Sequence, residues 1–376
     1  MKIPRIYDDL SKYIEPNKAL IIFGPRQVGK TILLNGFLKN SGLKYRLDSG
    51  DDINVSHILS SSDFREIKAY AAGYDLIALD EAHKIPNVGQ GLKILVDQVP
   101  GLKIIATGSS SFELAGQIGE PLTGRKTTLT MFPVSQKELA LMNNEYDLKR
   151  QLPEWLVYGG YPAVQTAETL AKKRAVLEEI LHSYLLKDIL DLEQVKGSKI
   201  LLDILRLLAF QIGGEVSLSE IAAKVGIDTK TVARYIDLFE KSFVIYNLRG
   251  FSRNLRTEVT KKGKYFFYDN GIRNAVIANF NDLSLRDDVG KLWENFLFME
   301  RMKKRVYDGI YANAYFWRTW DGQEIDCVEE REGKIFGYEF KWSDAKAAKE
   351  PADWKKTYPE ATFEVINKGN YIKFIT

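Results

Sequence analysis

The stretch "KALIIFGPRQVGKT" (18–31) runs a short apolar segment straight into a glycine-rich turn. The apolar part has the length and character of a buried strand. The turn matches G-x-x-x-x-G-K-[ST], with Gly24, Gly29, Lys30 and Thr31 in the fixed positions. Glycines let backbone N–H groups curl around phosphate oxygens, and a helix that follows presents its N-terminus to the same charge. "TILLNGFLKN" supplies that helix and stops at Ser41-Gly42. The cradle is therefore Gly24, Pro25, Arg26, Gln27, Val28, Gly29, Lys30, Thr31 and Ile32. Lys30 would reach the β- and γ-phosphates of ATP, and the Thr31 hydroxyl would ligate Mg²⁺. A chance glycine turn is the bland alternative, and a second half of the site argues against it.

That second half is "DLIALDEAHK" (75–84), an apolar strand ending in Asp80-Glu81. An aspartate at a strand end holds Mg²⁺, usually through water, and the adjacent Glu81 is placed to polarise an attacking water. "LKIIATGS" (102–109) is a third strand whose tip offers Thr107 and Ser109 as sensors of the γ-phosphate, with a plain turn as the competing reading. Strands alternating with helical segments predict a parallel α/β sheet. Arg125, in "LTGRKTTLTMFP", is either an arginine finger for a neighbouring subunit or a solvated charge.

Bulk properties exclude several classes. The 376 residues fit two or three domains, and a net charge of +3 means that any nucleic-acid role needs a local basic patch. A single cysteine, Cys327, rules out an internal disulfide framework, and with only three histidines a zinc site is not expected. The start "MKIPRIYDDL" lacks the apolar core of a signal peptide, and no run reaches the ~18 apolar residues of a membrane span. The expectation is a soluble cytoplasmic protein without a membrane partner.

The α/β pattern fades near "MNNEYDLKRQLP" (142–153), and helical periodicity continues to about residue 245. Within it, "SLSEIAAKVGIDTKTVARYIDLFEKSFVI" (217–245) reads as a helix-turn-helix. Ser217 or Ser219 caps the first helix, Gly226 ends it, and Asp228 or Thr229 caps the second. Lys230, Thr231 and Arg234 then face outward where a recognition helix meets DNA. "RGFSRNLRTEVTKKGK" (249–264) has six basic residues against one acid and would form a wing carrying Arg253, Arg256, Lys261 and Lys262. Protein docking by the same module is the alternative.

From about residue 311 the sequence is strand-rich. Asp321-Gly322 and Glu332-Gly333 read as two-residue type I′ turns. The second would place Asp326 directly opposite Glu339, with Lys341 on the same face and Tyr338, Phe340 and Trp342 on the other. Facing carboxylates repel, and a divalent cation between them would remove the penalty; oxygen ligands suit Mg²⁺ or Mn²⁺. E-x-K occurs three times, but only at 339–341 does it lie on an alternating strand with an aspartate on its partner. A solvated hairpin is the competing reading. Glu294, in "GKLWENFLFMERMKK" (290–304), lies on a helix that precedes the hairpin.

In order, "IPR", "GPRQVGKT", "LDEAHK", "TGSSSFEL", "YGGYP", "YLLKDI", "TVARYIDLFE", "YFFYDNGI", "WENFLFMER", "EIDCV" and "YEFKW" resemble AAA-type ATPases whose C-terminal half is filed as a domain of unknown function. The likeness covers almost the whole chain. It departs in "TGSS", where many AAA proteins use asparagine, and in "EID", where a proline-acid pair is usual. The resemblance implies an AAA-type P-loop ATPase domain (1–145), a helical and winged-helix middle domain (146–285) and an α+β, restriction-endonuclease-like PD-(D/E)XK tail (286–376). By the family pattern Glu294, Asp326 and Glu339 would be metal-facing catalytic acids with Lys341 beside them, next to Lys30, Glu81 and Arg125 at the ATP site. The expected function is ATP hydrolysis coupled to nucleic acid, with DNA favoured, in a homo-oligomer, together with a metal-dependent nuclease site in the tail. The alternative is an ATP-controlled switch or binding module whose nuclease-like tail does not cleave.

Overall fold

The computed structural model describes residues 3–109, 121–185, 198–252, 262–343 and 348–376. They form two compact units, Arg5–Phe132 with Lys241–Phe243, and Pro133–Glu240 with Val244–Thr376.

The first unit is a five-stranded sheet of β1 (Ala19–Phe23), β2 (Tyr45–Ser49), β3 (Leu76–Asp80), β4 (Lys103–Gly108) and β5 (Lys126–Thr130). The order is β2-β3-β4-β1-β5, and every neighbouring pair is parallel. The three central strands are the apolar runs evident in the sequence, buried on both faces as parallel strands must be. The edge strands "YRLDS" and "KTTLT" are half exposed, so no apolar run marks them in the sequence. On one face Ile21, Phe23, Ile77, Leu79 and Ile104 pack with residues of α2 (Ile53–Ser60), α3 (Phe64–Ala71) and α4 (Val88–Gln98). Each such side chain contributes about 1.5–3 kcal/mol on burial. Helix α1 (Lys30–Asn40) follows the glycine-rich turn as the sequence predicts.

The second unit begins with helices, among them α5 (Glu145–Tyr158), α6 (Leu170–Glu179) and α7 (Ser198–Phe210). Helix α8 (Leu218–Val225) is capped by the Ser217 hydroxyl, which accepts from the Glu220 N–H, and ends at Gly226 with φ 72°. Asp228 starts α9 (Thr229–Lys241) by accepting from the Thr231 N–H at 2.9 Å. Val232, Ile236 and Phe239 face inward as expected. The sheet of this unit runs β12-β11-β10-β9-β7-β8-β6, from β6 (Glu215–Val216), β7 (Ile245–Gly250), β8 (Gly263–Phe267), β9 (Asn313–Arg318), β10 (Glu324–Arg331), β11 (Lys334–Phe340) and β12 (Thr362–Ile366). β7 pairs with β9 in parallel, Arg249 opposite Tyr315, so one sheet continues across residue 285. Short helices α10 (Asn270–Val276), α12 (Ala352–Thr357) and α13 (Tyr371–Ile375) frame the long α11 (Val289–Tyr307), which packs on β8 and β11.

The two tail hairpins differ. At Glu332-Gly333 both residues have positive φ, 51° and 72°, and Arg331 pairs with Lys334, which is the expected two-residue turn. At Asp321-Gly322 only the glycine has positive φ. There Thr319 N–H donates to Gln323 O at 2.9 Å and Gly322 N–H to Thr319 O at 3.2 Å. This is a longer loop around Trp320, with glycine taking the left-handed position after the turn.

α11 is fixed to the sheet by Arg301, whose Nε and Nη2 each lie 2.8 Å from the fully buried Glu329 carboxylate. Removing Glu329 leaves the buried Arg301 guanidinium without its carboxylate. Glu329→Leu is expected to cost about 3–5 kcal/mol, and Arg301→Met with Glu329→Leu to recover most of it. Thermal melts of the two variants check this; equal losses would show that packing, not charge, governs the contact.

Candidate functional site

The C-terminal ends of parallel strands share one edge, and the sequence-predicted nucleotide residues gather there. Gly24 has φ 151°, and a Cβ on it would stand 2.0 Å from the Met131 carbonyl oxygen, so only glycine fits where the loop leaves β1. The Lys30 ammonium donates to the Gly24 and Pro25 carbonyls at 2.8 and 2.9 Å, holding the loop curled. The Val28 side chain is buried and Ile32 is exposed. Arg5, a residue sequence reasoning passed over, donates to the Val28 and Phe132 carbonyls at 2.5 and 2.6 Å and braces the loop from beneath. Its only sequence signal was a place in "IPR".

Asp80 organises the other side. The Thr31 hydroxyl donates to its Oδ2 at 2.7 Å, and the Thr107 hydroxyl to its Oδ1. Thr107 Oγ1 also accepts from the Glu81 N–H at 3.1 Å. The paired Thr31 hydroxyl and Asp80 carboxylate fit a magnesium ion, since both are hard oxygen donors beside the phosphate loop. Glu81 turns out of the strand with φ 51°. Its Oε2 lies 3.4 Å from His83 Nδ1, and His83 Nε2 lies 3.3 Å from the Ser109 hydroxyl. Burial, then Arg26, Lys30 and Lys84, hold His83 down at about 4, so the ring is neutral at pH 7. His83 was missed from the sequence, where only its position beside two acids hinted at it.

Arg125 immediately precedes β5, whose Lys126 pairs with Ala19 at the start of β1. It therefore sits at the end of the sheet opposite its own phosphate loop, with Nε 2.7 Å from Asp97 Oδ1. Within its own subunit it does not reach the nucleotide residues.

A parallel sheet that delivers a phosphate loop, an acid pair and a polar strand end to one edge has the arrangement of a P-loop nucleotide-binding domain. Residues 16–140 match the family model described as an AAA domain. Residues 149–283 match a domain of unknown function (DUF8612), and residues 289–373 another (DUF4143). The chain is 25% identical over 344 residues to an uncharacterized protein of Haemophilus influenzae, covering 84% of this chain and 80% of that protein. It is 24% identical over 326 residues to one of Mycobacterium tuberculosis (86% and 70%), and 23% over 346 residues to one of Methanocaldococcus jannaschii (87% and 75%).

In the second unit Lys230 and Arg234 are exposed on α9, while Thr231 is half-buried and its hydroxyl donates to Asp228 at 2.5 Å. Lys262 is exposed just before β8; Arg253, Arg256 and Lys261 lie outside the described residues.

The tail acids meet in one cluster. The β10–β11 register runs from Arg331 opposite Lys334 to Cys327 opposite Tyr338, stopping one position short of Asp326 and Glu339. Asp326 Oδ2 accepts from the Phe340 N–H at 2.8 Å, and Glu339 Oε1 from Lys341 at 2.5 Å. Glu294, on α11, lies 3.6 Å from the ammonium of Lys264, a third residue that sequence reasoning missed. Its signal was a lone charge heading the apolar run "KYFFY". Among the described residues no three acidic, histidine or cysteine side chains converge closely enough to hold a metal ion. The Phe340 amide and Lys341 take one oxygen each of Asp326 and Glu339, while Glu294 Oε1 and Glu339 Oε2 are buried without a hydrogen-bond partner. Burial and then Asp326 push Glu294 up to about 8; burial and then Asp326 push Glu339 up to about 7.

Glu81→Gln is expected to keep ATP binding and to lower kcat at least about a hundredfold, the worth of a general base. Phosphate release beside a fluorescent-nucleotide titration checks this, and an unchanged kcat would remove Glu81 from the chemistry. The tail acids set a pH dependence of the opposite kind to ordinary acid denaturation. Folded Glu294 keeps its proton up to about 8, whereas an ordinary glutamate loses it near 4.5. The folded chain thus binds more protons across that window, and stability falls as pH rises from about 5 to about 8. Glu294→Gln should flatten the slope in thermal melts; identical slopes would show that the carboxyl is not buried as described.

Proposed function

We propose that this chain hydrolyses ATP and uses the cycle to engage nucleic acid, DNA in the first instance. The observation that carries the nucleic-acid part is the outward placement of Lys230 and Arg234 at the start of the second helix of a helix-turn-helix. That is where recognition helices present side chains to bases and phosphates. The antiparallel order β6-β8-β7 beside it supports a winged-helix reading.

For hydrolysis, backbone N–H groups of the 24–31 loop would grip the phosphates, and Lys30 would exchange the Gly24 and Pro25 carbonyls for phosphate oxygens. Mg²⁺, held by Thr31 and Asp80, would supply positive charge to the transferring phosphoryl group. Glu81, oriented by His83, would accept the proton of the attacking water. Thr107 and Ser109 lie on the strand end that would sense the γ-phosphate. Arg125, at the far end of the sheet, would serve the nucleotide of a second copy, which makes the working form an oligomer.

A second reading rests on Asp326, Glu339 and Lys341 sharing one face of a hairpin with Glu294 nearby. This is the arrangement of a PD-(D/E)XK nuclease, which would use Mg²⁺ or Mn²⁺. Among the described residues no three acidic, histidine or cysteine side chains converge closely enough to hold a metal ion, which favours a nuclease-like fold that binds rather than cuts, and so the ATP-controlled switch.

Lys230→Glu with Arg234→Glu is expected to weaken duplex DNA binding about tenfold or more and to lower the salt slope by about 2. Fluorescence anisotropy at two salt concentrations tests it. Equal affinity and slope in both proteins would move α9 from nucleic acid to a protein partner.

A further inference from the structure

Arg5 stands ahead of β1, outside the phosphate-loop motif, yet it is only 8% exposed. A local turn fixes its backbone: the Arg5 N–H donates to Asp8 Oδ2 and the Asp8 N–H to the Arg5 carbonyl, both at 3.1 Å. Tyr7 and Leu10, both buried, anchor the same segment in the first unit. The guanidinium then serves two carbonyls. Nη1 donates to Val28 O at 2.5 Å and Nη2 to Phe132 O at 2.6 Å. One carbonyl belongs to the loop, the other to the chain just beyond β5.

The Val28 carbonyl is the informative partner. Val28 lies between Gln27 at φ 61° and Gly29 at φ 98°, both in the left-handed region. Gln27 carries a Cβ, and such a residue stays there only where its surroundings hold it. At Gly29 the conformation, not the space, calls for glycine, because a Cβ would meet Met131 Cε at an ordinary 3.7 Å. Among the described residues no peptide bond is cis. In a trans peptide the C=O and the next N–H point to opposite sides. Arg5 holds the Val28 carbonyl, so the Gly29 N–H faces away from Arg5. The Gly29 carbonyl is held as well, accepting from the Leu33 N–H at 2.9 Å in the first turn of α1. Protein contacts on both sides of that N–H therefore set its direction.

We propose that Arg5 is a positioning residue of the ATP site, pinning the Val28–Gly29 peptide so that the Gly29 N–H is aimed at the phosphates shared by ADP and ATP. This deepens the reading of this strand edge as an ATP site and rests on it. Oriented backbone amides form the concavity that takes phosphate oxygens. An amide aimed in advance spares the nucleotide the cost of ordering the loop. The two loop cations thus divide the work. Lys30 gives up the Gly24 and Pro25 carbonyls to reach a phosphate, whereas Arg5 keeps both of its partners. The planar fork suits two carbonyls at once, which a lysine ammonium on its single point does not.

The test uses the full chain, with fluorescent ADP and ATP titrations, steady-state phosphate release, and thermal melts without nucleotide. Arg5→Ala should bind both nucleotides at least about tenfold more weakly, with KM raised to match, the worth of a charged hydrogen bond. At saturating ATP its kcat should stay within about threefold of wild type, because the groups that act on the water are untouched. Added methylguanidinium, at concentrations that leave wild type unaffected, should restore most of the lost affinity. Should Arg5→Ala fail to fold, Arg5→Lys carries the same expectation of weaker binding with kcat retained. Equal affinities, a fall in kcat at unchanged affinity, or a loss that methylguanidinium does not restore would overturn the proposal. Failure of both variants to fold would overturn it too, by making Arg5 a support of the whole unit. Lys30→Ala tests the underlying reading. If it binds nucleotide as wild type does, or wild type binds none, the ATP site itself falls; if it alone loses binding, the site stands and Arg5 has no part in it.

Discussion

Each carboxylate oxygen of Asp80 accepts a threonine hydroxyl, one from α1 and one from β4. Its backbone carbonyl takes the N–H of Gly50 at the end of β2, at 2.8 Å. A single acid therefore sets the relative height of three strands and of the helix behind the phosphate loop. The parallel sheet makes this economical, because all strand ends arrive at one edge. The cost appears one residue later. Glu81 leaves the strand in the left-handed region, about 1–2 kcal/mol uphill for a residue with a Cβ. That turn sets its side chain beside His83.

The second unit handles buried charge in two ways, and neighbours decide the direction. Asp288 stands at the start of α11 and Glu294 lies two turns further on. Burial pushes both upward. For Asp288, hydrogen bonds and charge from Arg286 and Arg273 outweigh it and bring the carboxyl down to about 2. For Glu294, Asp326 adds to burial and Lys264 offsets only part, leaving it near 8. One helix thus carries an acid fixed as a charge and another poised to hold a proton.

What was readable in the sequence follows from which signals are local. The phosphate loop, the apolar β3 with its acid pair, and the Glu332-Gly333 turn are set by neighbours in the chain, and each sits where its residues predict. The edge strands β2 and β5 were silent because half-exposed strands need no apolar run. Lys264 and Arg5 were silent for another reason. A lone basic residue reads as solvated until the fold brings carboxylates or carbonyls from distant segments around it. The Asp321-Gly322 turn misled because the same dipeptide serves a longer loop as well as a two-residue one, and only the pairing of Thr319 with Gln323 distinguishes them. The nuclease pattern was legible as residue types, whereas the Lys264 ammonium beside Glu294 comes from a strand about thirty residues earlier in sequence.

The parallel ladder between β7 and β9 joins the helix-turn-helix to the tail in one sheet. The family segments at 149–283 and 289–373 are therefore not interchangeable modules, although two separate models describe them. Cutting the chain between them would strip a flank from each fragment and leave a bare strand edge, the kind of surface that recruits foreign strands. Evolution can lengthen the loops or recolour the exposed face of α9, but it cannot shuffle the 149–283 segment onto another tail without first inventing a new neighbour for β9.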